Sequence, residues 1–310
     1  MPLMQAIAED IDAIALTDEA AIASERDRIR GLLFAGHNRI SAELMDSLPN
    51  LEIMVAPSAG FEGVDLDAAR ARGITVTSGG DVGSRDVAHF AIALTLALRH
   101  HIVPSHDFVT SGAWLKGWPA ARRSFRVDRV GVVGLGPIGQ AVANGIAPLC
   151  GEVGWWGPRP KQLPWKRHEN LMALAEWSDV LILCARSGAD TAGMIDAAVL
   201  DAIGPKGSFV NIARGFMVDE DALIDALRAG RLGSAGLDVM VEEPARPDRW
   251  ADVPNVLLAP HMAGVTTENQ IGVVQLAISN LRTLLSGETP RFMIVDGHRR
   301  LSGRATPPVA

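Results

Sequence analysis

Three ionisable side chains, Arg214, Glu243 and His261, each lie in a short segment that follows a hydrophobic stretch. Taken singly, each has an ordinary structural interpretation. Arg214 suits a surface arginine that caps carbonyls, Glu243 a solvated acidic turn, and His261 a core histidine. If the hydrophobic stretches are parallel strands, however, their carboxyl ends meet at one edge of a sheet, where such sheets build their sites. The combination therefore favours a catalytic site.

A cation, a carboxylate and an imidazole together suit the reduction of a ketone by hydride transfer. The developing alkoxide needs a proton near neutral pH, where histidine titrates. A carboxylate beside an imidazole favours the imidazolium and fixes its tautomer. An arginine offers paired hydrogen bonds to the carboxylate and ketone oxygens of a 2-keto acid. We therefore predict that Arg214, Glu243 and His261 are catalytic and that Arg214 also binds substrate.

A glycine-rich stretch, Val130–Gly139, predicts where a dinucleotide binds. Its apolar residues end in Gly134, Gly136 and Gly139, which have the G-x-G-x-x-G spacing. Gly134 permits a tight turn, Gly136 lets backbone N–H groups approach a pyrophosphate, and Gly139 lets helix and strand pack closely. The positive end of the helix dipole favours the anion. The motif alone is a weak signal, so its weight depends on the elements around it.

The segment beyond this loop indicates which dinucleotide binds. An NAD site carries an Asp or Glu about 20 residues beyond the glycines, whereas Val153–His168 contains no carboxylate. Arg159 stands where that acid would be, and a guanidinium matches a 2′-phosphate through a charge-assisted fork. A solvated basic loop is the alternative interpretation. The missing acid favours NADP.

The elements that position these residues alternate between strands and helices, which is typical of a parallel α/β layer. In the second half of the chain, hydrophobic periodicity predicts strands at Val130–Val133, Val153–Trp156, Val180–Ala185, Ser208–Ala213, Ala235–Val239 and Val256–Ala259. Periodicity and capping residues predict helices at Ile138–Ala147, Leu171–Trp177, Asp219–Ala229 and Thr267–Ser286. The glycine loop thus follows a predicted strand and opens a predicted helix, as its mechanism requires.

The first half of the chain shows the same rhythm in shorter form. Helices are predicted over most of Met1–Arg30 and at Ser41–Leu48 and Val64–Arg72, with strands at Gly31–Ala35, Leu51–Ala56 and Ile74–Val76. The helix Ser84–His100 is apolar around most of its circumference, so we expect it between domains or in a subunit contact. We predict a substrate domain from residues 1–98 and 287–310 and a dinucleotide-binding domain from residues 99–286. The polar tail Asp296–Ala310 is expected to fray.

Composition narrows the function classes. The 310 residues are enough for about two domains. A net charge of −7 argues against nucleic acid or a membrane surface as the main partner. The two cysteines, Cys150 and Cys184, lie in apolar surroundings and indicate neither a disulfide framework nor a metal site. No targeting segment or membrane-spanning run is visible, so we expect a cytoplasmic location.

The ordered motifs resemble those of the D-isomer-specific 2-hydroxyacid dehydrogenases, and within that family the NADP-dependent glyoxylate/hydroxypyruvate reductases. The similarity covers roughly Leu48 to Gly287. It is carried by the glycine loop and by Ser58–Asp65, Arg72–Ile74, Val87–Ala88, Ser111–Trp114, Asn211–Gly215, Leu237–Val239, Glu243–Pro244 and Pro260–His261. The resemblance implies a Rossmann-type doubly wound parallel sheet and a smaller flavodoxin-like α/β substrate domain. It also implies NADPH-dependent reduction of a small 2-keto acid, of the glyoxylate or hydroxypyruvate type, to the D-2-hydroxy acid.

The same resemblance implies a role for each site residue. Arg214 would hold the substrate, Glu243 would partner the histidine, and His261 would donate the proton. Backbone N–H groups of Ala59 and Gly60 would hold the substrate carboxylate. The predicted cofactor-binding residues are Gly134, Leu135, Gly136, Pro137, Ile138, Gly139, Gly157, Pro158, Arg159, Ile212, Ala213, Asp238, which would bind the nicotinamide carboxamide, and Gly264. The family is typically homodimeric, with the helix from Ser84 embraced by the partner subunit.

Some residues depart from the family pattern, and two other functions stay open. Cys184–Ser187 replaces the usual Cys-Pro-Leu-Thr, so Arg186 is a second candidate for the 2′-phosphate. His89 stands where many relatives carry a glutamate. An NAD-linked dehydrogenase for another D-2-hydroxy acid is one alternative. A corepressor-like protein that senses NAD(P)H on the same fold is the other, and it would not need the three catalytic side chains.

Overall fold

The structure is a computed structural model that describes residues 12–15, 17–34, 38–56, 60–61 and 63–297. The chain divides into two compact units. The larger unit is Ser84–Gly264, and the smaller one combines the described residues up to Gly83 with those from Val265 onwards.

The helices and strands of the described residues alternate along both units. The helices are α1 (Glu19–Glu25), α2 (Ala42–Ser47), α3 (Leu66–Arg72), α4 (Ser84–Arg99), α5 (Ile102–Thr110), α6 (Pro137–Ile146), α7 (Leu171–Trp177), α8 (Ala197–Ile203), α9 (Glu220–Arg228), α10 (Pro247–Trp250) and α11 (Thr267–Leu285). The strands are β1 (Gly31–Leu33), β2 (Ile53–Val55), β3 (Thr75–Thr77), β4 (Arg129–Val133), β5 (Glu152–Trp156), β6 (Lys166–Arg167), β7 (Val180–Leu183), β8 (Ser208–Asn211), β9 (Ser234–Leu237), β10 (Val256–Leu258) and β11 (Met293–Val295).

Polar caps explain where several helices begin. The side chains of Ser41, Asp219 and Thr266 each accept a backbone N–H from the first turn of the helix that follows. These bonds satisfy donors that would otherwise lack a partner. At the other end of α3, Gly73 has φ of 71°, the left-handed conformation that commonly closes a helix. The predicted helices after Ser41 and Asp219 are confirmed within a residue or two.

The larger unit is built on a seven-stranded sheet in the order β10-β9-β8-β7-β4-β5-β6, with every neighbouring pair parallel. Chain order reverses between β4 and β7, so the loops that follow these two strands flank the topological switch point. This is the strand order of a doubly wound Rossmann sheet, and the predicted fold class is confirmed. The glycine loop follows β4, at the position where such sheets bind ligands.

Both faces of the large sheet are buried, as parallel sheets require. Along β7, Val180 and Ile182 belong to one hydrophobic cluster and Leu181 and Leu183 to the other. Because successive side chains of a strand point to opposite faces, the two clusters lie on the two sides of the sheet. The unbroken apolar sequence of these strands is therefore explained by burial on both faces.

The smaller unit has a four-stranded sheet in the order β1-β2-β3-β11. The first three strands are parallel, and β11 pairs antiparallel with β3. Ile53 and Val55 of β2 pack with Ala277 and Leu284 of α11 in a separate hydrophobic cluster. The smaller α/β domain that the sequence predicts is thus present as a mixed sheet.

The boundaries between the two units lie at other positions in the sequence than the predicted domain boundaries. The chain divides at 83/84 and 264/265, whereas the sequence predicts 98/99 and 286/287. Helix α4 belongs to the larger unit because it packs against α6, where Gly145 leaves room for Ile92. Helix α11 belongs to the smaller unit because it packs on β2. Both helices are amphipathic or apolar, and sequence alone does not say which core covers them.

Several elements differ from the sequence prediction. Strands β6 and β11 and helices α5, α8 and α10 were not predicted. In the predicted N-terminal helix, α1 is the helical part among the described residues, and Met1–Ile11 lies outside them. Most of the tail Asp296–Ala310 also lies outside the described residues.

Within the part of the chain that the structure describes, no single helix is long and apolar enough to cross a membrane. One pair, α4 and α5 with a bend of 51° between them, passes such a test by length and composition alone.

Candidate functional site

The glycine loop has the geometry that its sequence predicts. Gly134 has φ of 87°, and a Cβ there would lie 2.4 Å from the Cα of Ala185, in the loop after β7. At Gly139 a Cβ would lie 2.1 Å from the carbonyl oxygen of Gly134. Real Cβ atoms do not approach other atoms so closely, so both positions require glycine. The turn at the switch point and the close packing of α6 on the loop are therefore confirmed.

Gly136 has a different environment from the other two glycines. A Cβ built there meets no atom within 4 Å. The residue is the N-cap of α6, and Pro137 follows at the first helical position. Open space thus faces a helix N-terminus, which attracts anions through its N–H groups and its dipole. This cradle fits the pyrophosphate of a dinucleotide.

Basic side chains surround the loop after β5. The ammonium Nζ of Lys161 donates to the carbonyl oxygen of Leu135, in the glycine loop, at 2.6 Å. A guanidinium nitrogen of Arg167 donates to the carbonyl oxygen of Gly157 at 2.9 Å. Arg159, two residues before Lys161, is exposed. The segment therefore places positive charge beside the cradle, as the sequence predicts.

The loop that carries Arg214 is held by the buried side chain of Asn211, at the end of β8. The oxygen Oδ1 of Asn211 accepts the Ala213 N–H at 2.9 Å, and its Nδ2 donates to the Arg214 carbonyl oxygen at 3.0 Å. The Arg214 guanidinium donates to the Ala213 carbonyl oxygen at 2.7 Å and is partly buried. An amide side chain that spans the loop in this way fixes the direction in which Arg214 leaves the sheet.

Gly215 brings the Arg214 loop into backbone contact with the segment that carries Glu243. A Cβ on Gly215 would lie 1.9 Å from the carbonyl oxygen of Met240 and 2.4 Å from the nitrogen of Val241. The requirement for glycine therefore comes from the neighbouring loop. Two of the three segments that the sequence singled out are thus in direct contact.

Glu243 and His261 form a hydrogen-bonded pair. The distance from His261 Nδ1 to Glu243 Oε2 is 2.7 Å. The other oxygen, Oε1, accepts the Met240 N–H at 3.0 Å, which orients the carboxylate. Because a carboxylate only accepts hydrogen bonds, Nδ1 carries the hydrogen and Nε2 is left to take up or release a proton. The imidazole is about half exposed, so substrate has access to it.

Asp238 holds the turn from which His261 projects. Its carboxylate oxygens accept the N–H groups of Met262 at 2.8 Å and Ala263 at 3.0 Å, and its carbonyl oxygen accepts the His261 N–H at 2.8 Å. His261 has φ of 52°, a left-handed conformation that costs a non-glycine residue about 1 kcal/mol or more. The three hydrogen bonds offset that strain. Asp238 is 1% exposed, and this burial raises its pKa, while the two N–H donors oppose the shift.

The other predicted cofactor-binding residues also follow strands of the large sheet. Gly157 and Pro158 follow β5, and Ile212 and Ala213 follow β8. Further along, Gly264 comes after the turn held by Asp238, and Ile138 lies in the first turn of α6. Of the predicted substrate-binding residues, Gly60 is buried in the smaller unit, and Ala59 lies outside the described residues. Among the described residues, no group of three or more His, Cys, Asp or Glu side chains could hold a metal ion.

Sequence reasoning missed two structural roles in this site. Asp238 was predicted for the cofactor, and the structure shows that it also fixes the His261 turn. Asn211 belongs to one of the predicted motifs, and the structure shows that its side chain organises the Arg214 loop. A signal existed for both, because Asp and Asn side chains readily hydrogen-bond backbone groups in turns. The sequence could not identify which backbone groups they reach.

Comparison with known proteins agrees with this geometry. The family model described as the NAD binding domain of D-isomer specific 2-hydroxyacid dehydrogenases matches residues 92–263. The 2-ketogluconate reductase of Gluconobacter oxydans is 38% identical over 262 residues, 84% of this chain and 84% of that protein. The glyoxylate/hydroxypyruvate reductase A of Arabidopsis thaliana is 35% identical over 267 residues, 86% of this chain and 85% of that protein.

A solved structure extends the similarity to both units. The NADPH-dependent glyoxylate/hydroxypyruvate reductase of Sinorhizobium meliloti, in complex with NADP and malonate, has a TM-score of 0.85 at 31% identity. The match covers 96% of this chain and 94% of that chain. With a dinucleotide cradle at the switch point and a histidine–glutamate pair beside an arginine loop, the chain belongs to the D-isomer-specific 2-hydroxyacid dehydrogenase family, as a 2-keto acid reductase with an NAD(P)-binding domain.

Proposed function

We propose that this protein uses NADPH to reduce glyoxylate, hydroxypyruvate or another small 2-keto acid to the D-2-hydroxy acid. The observation that carries the proposal is the 2.7 Å hydrogen bond between His261 Nδ1 and Glu243 Oε2, in the unit that holds the glycine cradle. When bound, the reduced nicotinamide supplies the hydride. Two similar proteins, from Arabidopsis thaliana and Sinorhizobium meliloti, are glyoxylate/hydroxypyruvate reductases, which supports this choice of substrate.

His261 donates the proton that the ketone oxygen needs as it becomes a hydroxyl group. Glu243 keeps the hydrogen of the imidazole on Nδ1, so that Nε2 faces the substrate in the donor form. The carboxylate also stabilises the imidazolium by opposite charge. Asp238 keeps the turn in place through the N–H groups that it accepts, and binding of the nicotinamide carboxamide remains its predicted second role.

Arg214 binds the substrate. Its guanidinium matches the carboxylate and ketone oxygens of a 2-keto acid through paired, charge-assisted hydrogen bonds. Ala59 and Gly60 remain the predicted backbone partners of the substrate carboxylate. The smaller unit is accordingly the substrate domain and the larger unit the dinucleotide domain.

The preference for NADP rests on charge. Val153–His168 contains no carboxylate to bind the adenine-ribose hydroxyls, and Arg159 is exposed in that segment. Lys161 and Arg167 add positive charge nearby, each fixed to a backbone carbonyl. Arg186, exposed in the loop after β7, is a further candidate for the 2′-phosphate.

The catalytic proposal is tested by His261→Ala, with His106→Ala as a control on an exposed helix. We expect kcat for glyoxylate or hydroxypyruvate to fall by about 10²–10⁴-fold in the first variant, the usual contribution of general acid catalysis. NADPH affinity, followed by the fluorescence of the bound nucleotide, should stay close to that of the parent. Unchanged turnover in His261→Ala, or no turnover of any small 2-keto acid by the parent, would refute the assignment.

The cofactor proposal is tested by Arg159→Asp, with Lys166→Asp as a control that makes the same charge change in the same segment. We expect kcat/KM with NADPH to fall at least about tenfold further than kcat/KM with NADH, because a bidentate contact to the 2′-phosphate is lost. The control should change both values by similar, smaller factors. Equal losses for both cofactors in Arg159→Asp would contradict the phosphate role.

A homodimer is the predicted assembly, and exposed apolar side chains on the larger unit support it. Large hydrophobic residues cluster from α5 to the segment after it: Ile102, Val103, Val109, Trp114, Leu115 and Trp118. Leu115 is 93% exposed and Trp118 82% exposed. Such a concentration of apolar surface is typical of an interface between proteins. Trp118→Glu should shift the mass measured by light scattering from dimer to monomer, whereas a monomeric parent would contradict the prediction.

The cytoplasmic location also remains a prediction.

A further inference from the structure

One buried carboxylate near the site has no role in the proposed reaction. Glu220 is the first residue of α9 and is only 7% exposed. Its Oε2 accepts the N–H of Val241 at 2.9 Å, and its Oε1 accepts from the guanidinium Nε of Arg249. Arg249 also pairs with the exposed Asp221 at 2.8 Å. Glu220 and Arg249 therefore form an ion pair, and the hydrogen bond to Glu220 is the main cause that raises the pKa of Arg249.

The peptide between Met240 and Val241 is in contact with both catalytic loops. Its carbonyl carbon and oxygen and its nitrogen pack against Gly215, directly after Arg214. The preceding N–H, that of Met240, is bonded to Oε1 of Glu243. A shift of this peptide would therefore move the orienting donor of Glu243 and the backbone that supports Arg214.

The segment that contains this peptide is neither helix nor strand. Residues 238–246 make a loop, and the Val241 side chain is more than half exposed. Burial of the Val241 side chain therefore does not fix the position of this loop. The hydrogen bond from Val241 to Glu220 fixes the peptide to α9, an element that begins shortly after the Arg214 loop.

We propose that Glu220 is a positioning residue, which holds the Met240–Val241 peptide so that Glu243 presents Oε2 to His261. The inference rests on the proposed function for its kinetic consequence. Glu220 does not touch the reacting atoms, and its effect passes through the Val241 N–H and then the Met240 N–H. Arg249 neutralises the buried charge that this arrangement needs.

The test compares four variants with the parent. Glu220→Met removes the acceptor at similar volume, and Glu220→Gln keeps an oxygen that can accept the Val241 N–H. The double variant with Arg249→Met replaces the buried ion pair by two apolar side chains, an exchange that folded proteins tolerate well. Asp221→Asn is the control, because it removes a partner of Arg249 on the exposed side. Thermal unfolding establishes that each variant is folded.

We expect kcat to fall at least about tenfold in Glu220→Met and in the double variant, because a small misplacement of the donor is costly. The KM for the 2-keto acid and the affinity for NADPH should change by less than about threefold. Glu220→Gln should restore kcat to within about threefold of the parent, and Asp221→Asn should leave it unchanged. Parent-like kcat in the double variant, or equal losses in kcat, substrate binding and cofactor binding, would overturn the proposal.

A spectroscopic measurement separates this inference from the proposed function. In protein with ¹⁵N-labelled histidine, the Nδ1 proton of His261 should give a downfield signal, assigned by its absence in His261→Gln. We expect the signal in the parent and in Glu220→Gln and its loss in the double variant. If the parent turns over no 2-keto acid, the proposed function fails while this readout still decides the role of Glu220. A signal that persists unchanged in the double variant would overturn that role.

Discussion

The three glycines of the nucleotide loop offer a sharp test, because the structure assigns them different physical constraints. Gly139→Ala places a methyl group 2.1 Å from the carbonyl oxygen of Gly134. The helix and loop must separate by more than 1 Å to relieve that contact. Gly136→Ala places a methyl group in open space, with no atom within 4 Å. The first substitution should therefore disturb the fold, and the second should disturb only the dinucleotide.

The expected magnitudes follow from these environments. Overpacking at Gly139 should lower the free energy of unfolding by about 1–3 kcal/mol. At Gly136, φ is −71° and ψ is −168°, so alanine fits the backbone. A gain of about 0.4–1 kcal/mol from the less flexible unfolded chain offsets the loss of about 0.5–1 kcal/mol from a poorer N-cap. The unliganded stability of Gly136→Ala should stay within about 1 kcal/mol of the parent.

Nucleotide binding should distinguish Gly136→Ala from the parent. The methyl group of Gly136→Ala occupies the space into which the pyrophosphate must fit, so we expect at least about a tenfold loss of affinity, or 1.4 kcal/mol. At a nucleotide concentration 100 times the parent Kd, the parent gains about 2.7 kcal/mol of stability. Under the same conditions Gly136→Ala should gain about 1.4 kcal/mol or less.

The assay is urea unfolding with and without NADPH, combined with a direct titration of the nucleotide. Equal stabilisation of Gly136→Ala and the parent would show that the cradle does not hold the pyrophosphate. An unchanged free energy of unfolding for Gly139→Ala would show that the close contact of α6 with the loop is wrong. Either result would refute the physical role assigned to the glycine concerned.

Three further predictions concern stability and catalysis. Arg99→Met removes the 2.7 Å partner of the fully buried Asp128 carboxylate and leaves it paired with Arg123 at 3.1 Å. The loss of a hydrogen bond to a charged group should cost about 1.5–3 kcal/mol in urea unfolding, against less than about 1 kcal/mol for the exposed ion-pair variant Arg231→Met; equal losses would contradict the burial argument. Burial lowers the pKa of His168, so its contribution to stability is present above an unfolded-state pKa of about 6.5 and is lost as the pH falls below it. His168→Phe has no group that titrates at this position, so its free energy of unfolding should decline less steeply than the parent's between about pH 7.5 and pH 5.5. Equal declines of the free energy of unfolding with pH in the two proteins would refute the assignment. The amide of Glu243→Gln can donate to Nδ1 of His261, which favours the tautomer with its hydrogen on Nε2. This should lower kcat by about 10²-fold or more with NADPH affinity unchanged. A parent-like kcat would exclude the Glu243–His261 pair from catalysis.

Local sequence patterns were enough to predict most of the large sheet. Strands β4, β5 and β7 to β10 lie within two residues of their predicted positions, since each is a short apolar run bounded by turn residues. Strand β6 was not predicted because Lys166 and Arg167 are exposed and charged at the sheet edge. Strand β11 was not predicted because its partner, β3, lies more than 200 residues earlier in the chain. Periodicity carries no information about such a distant partner.

The sequence by itself determined the glycine loop, the absence of an acid beyond it, and the identity of the three ionisable side chains. These features are local, because a turn, a strand or a charge depends on residues close together in the chain. Only the tertiary structure decided how the side chains are held. The bonds from Asp238 to the His261 turn and from Glu220 to Val241 join residues more than 20 positions apart. They exist because the order of strands in the sheet brings separate loops to one edge, and that order is set by packing of the whole unit.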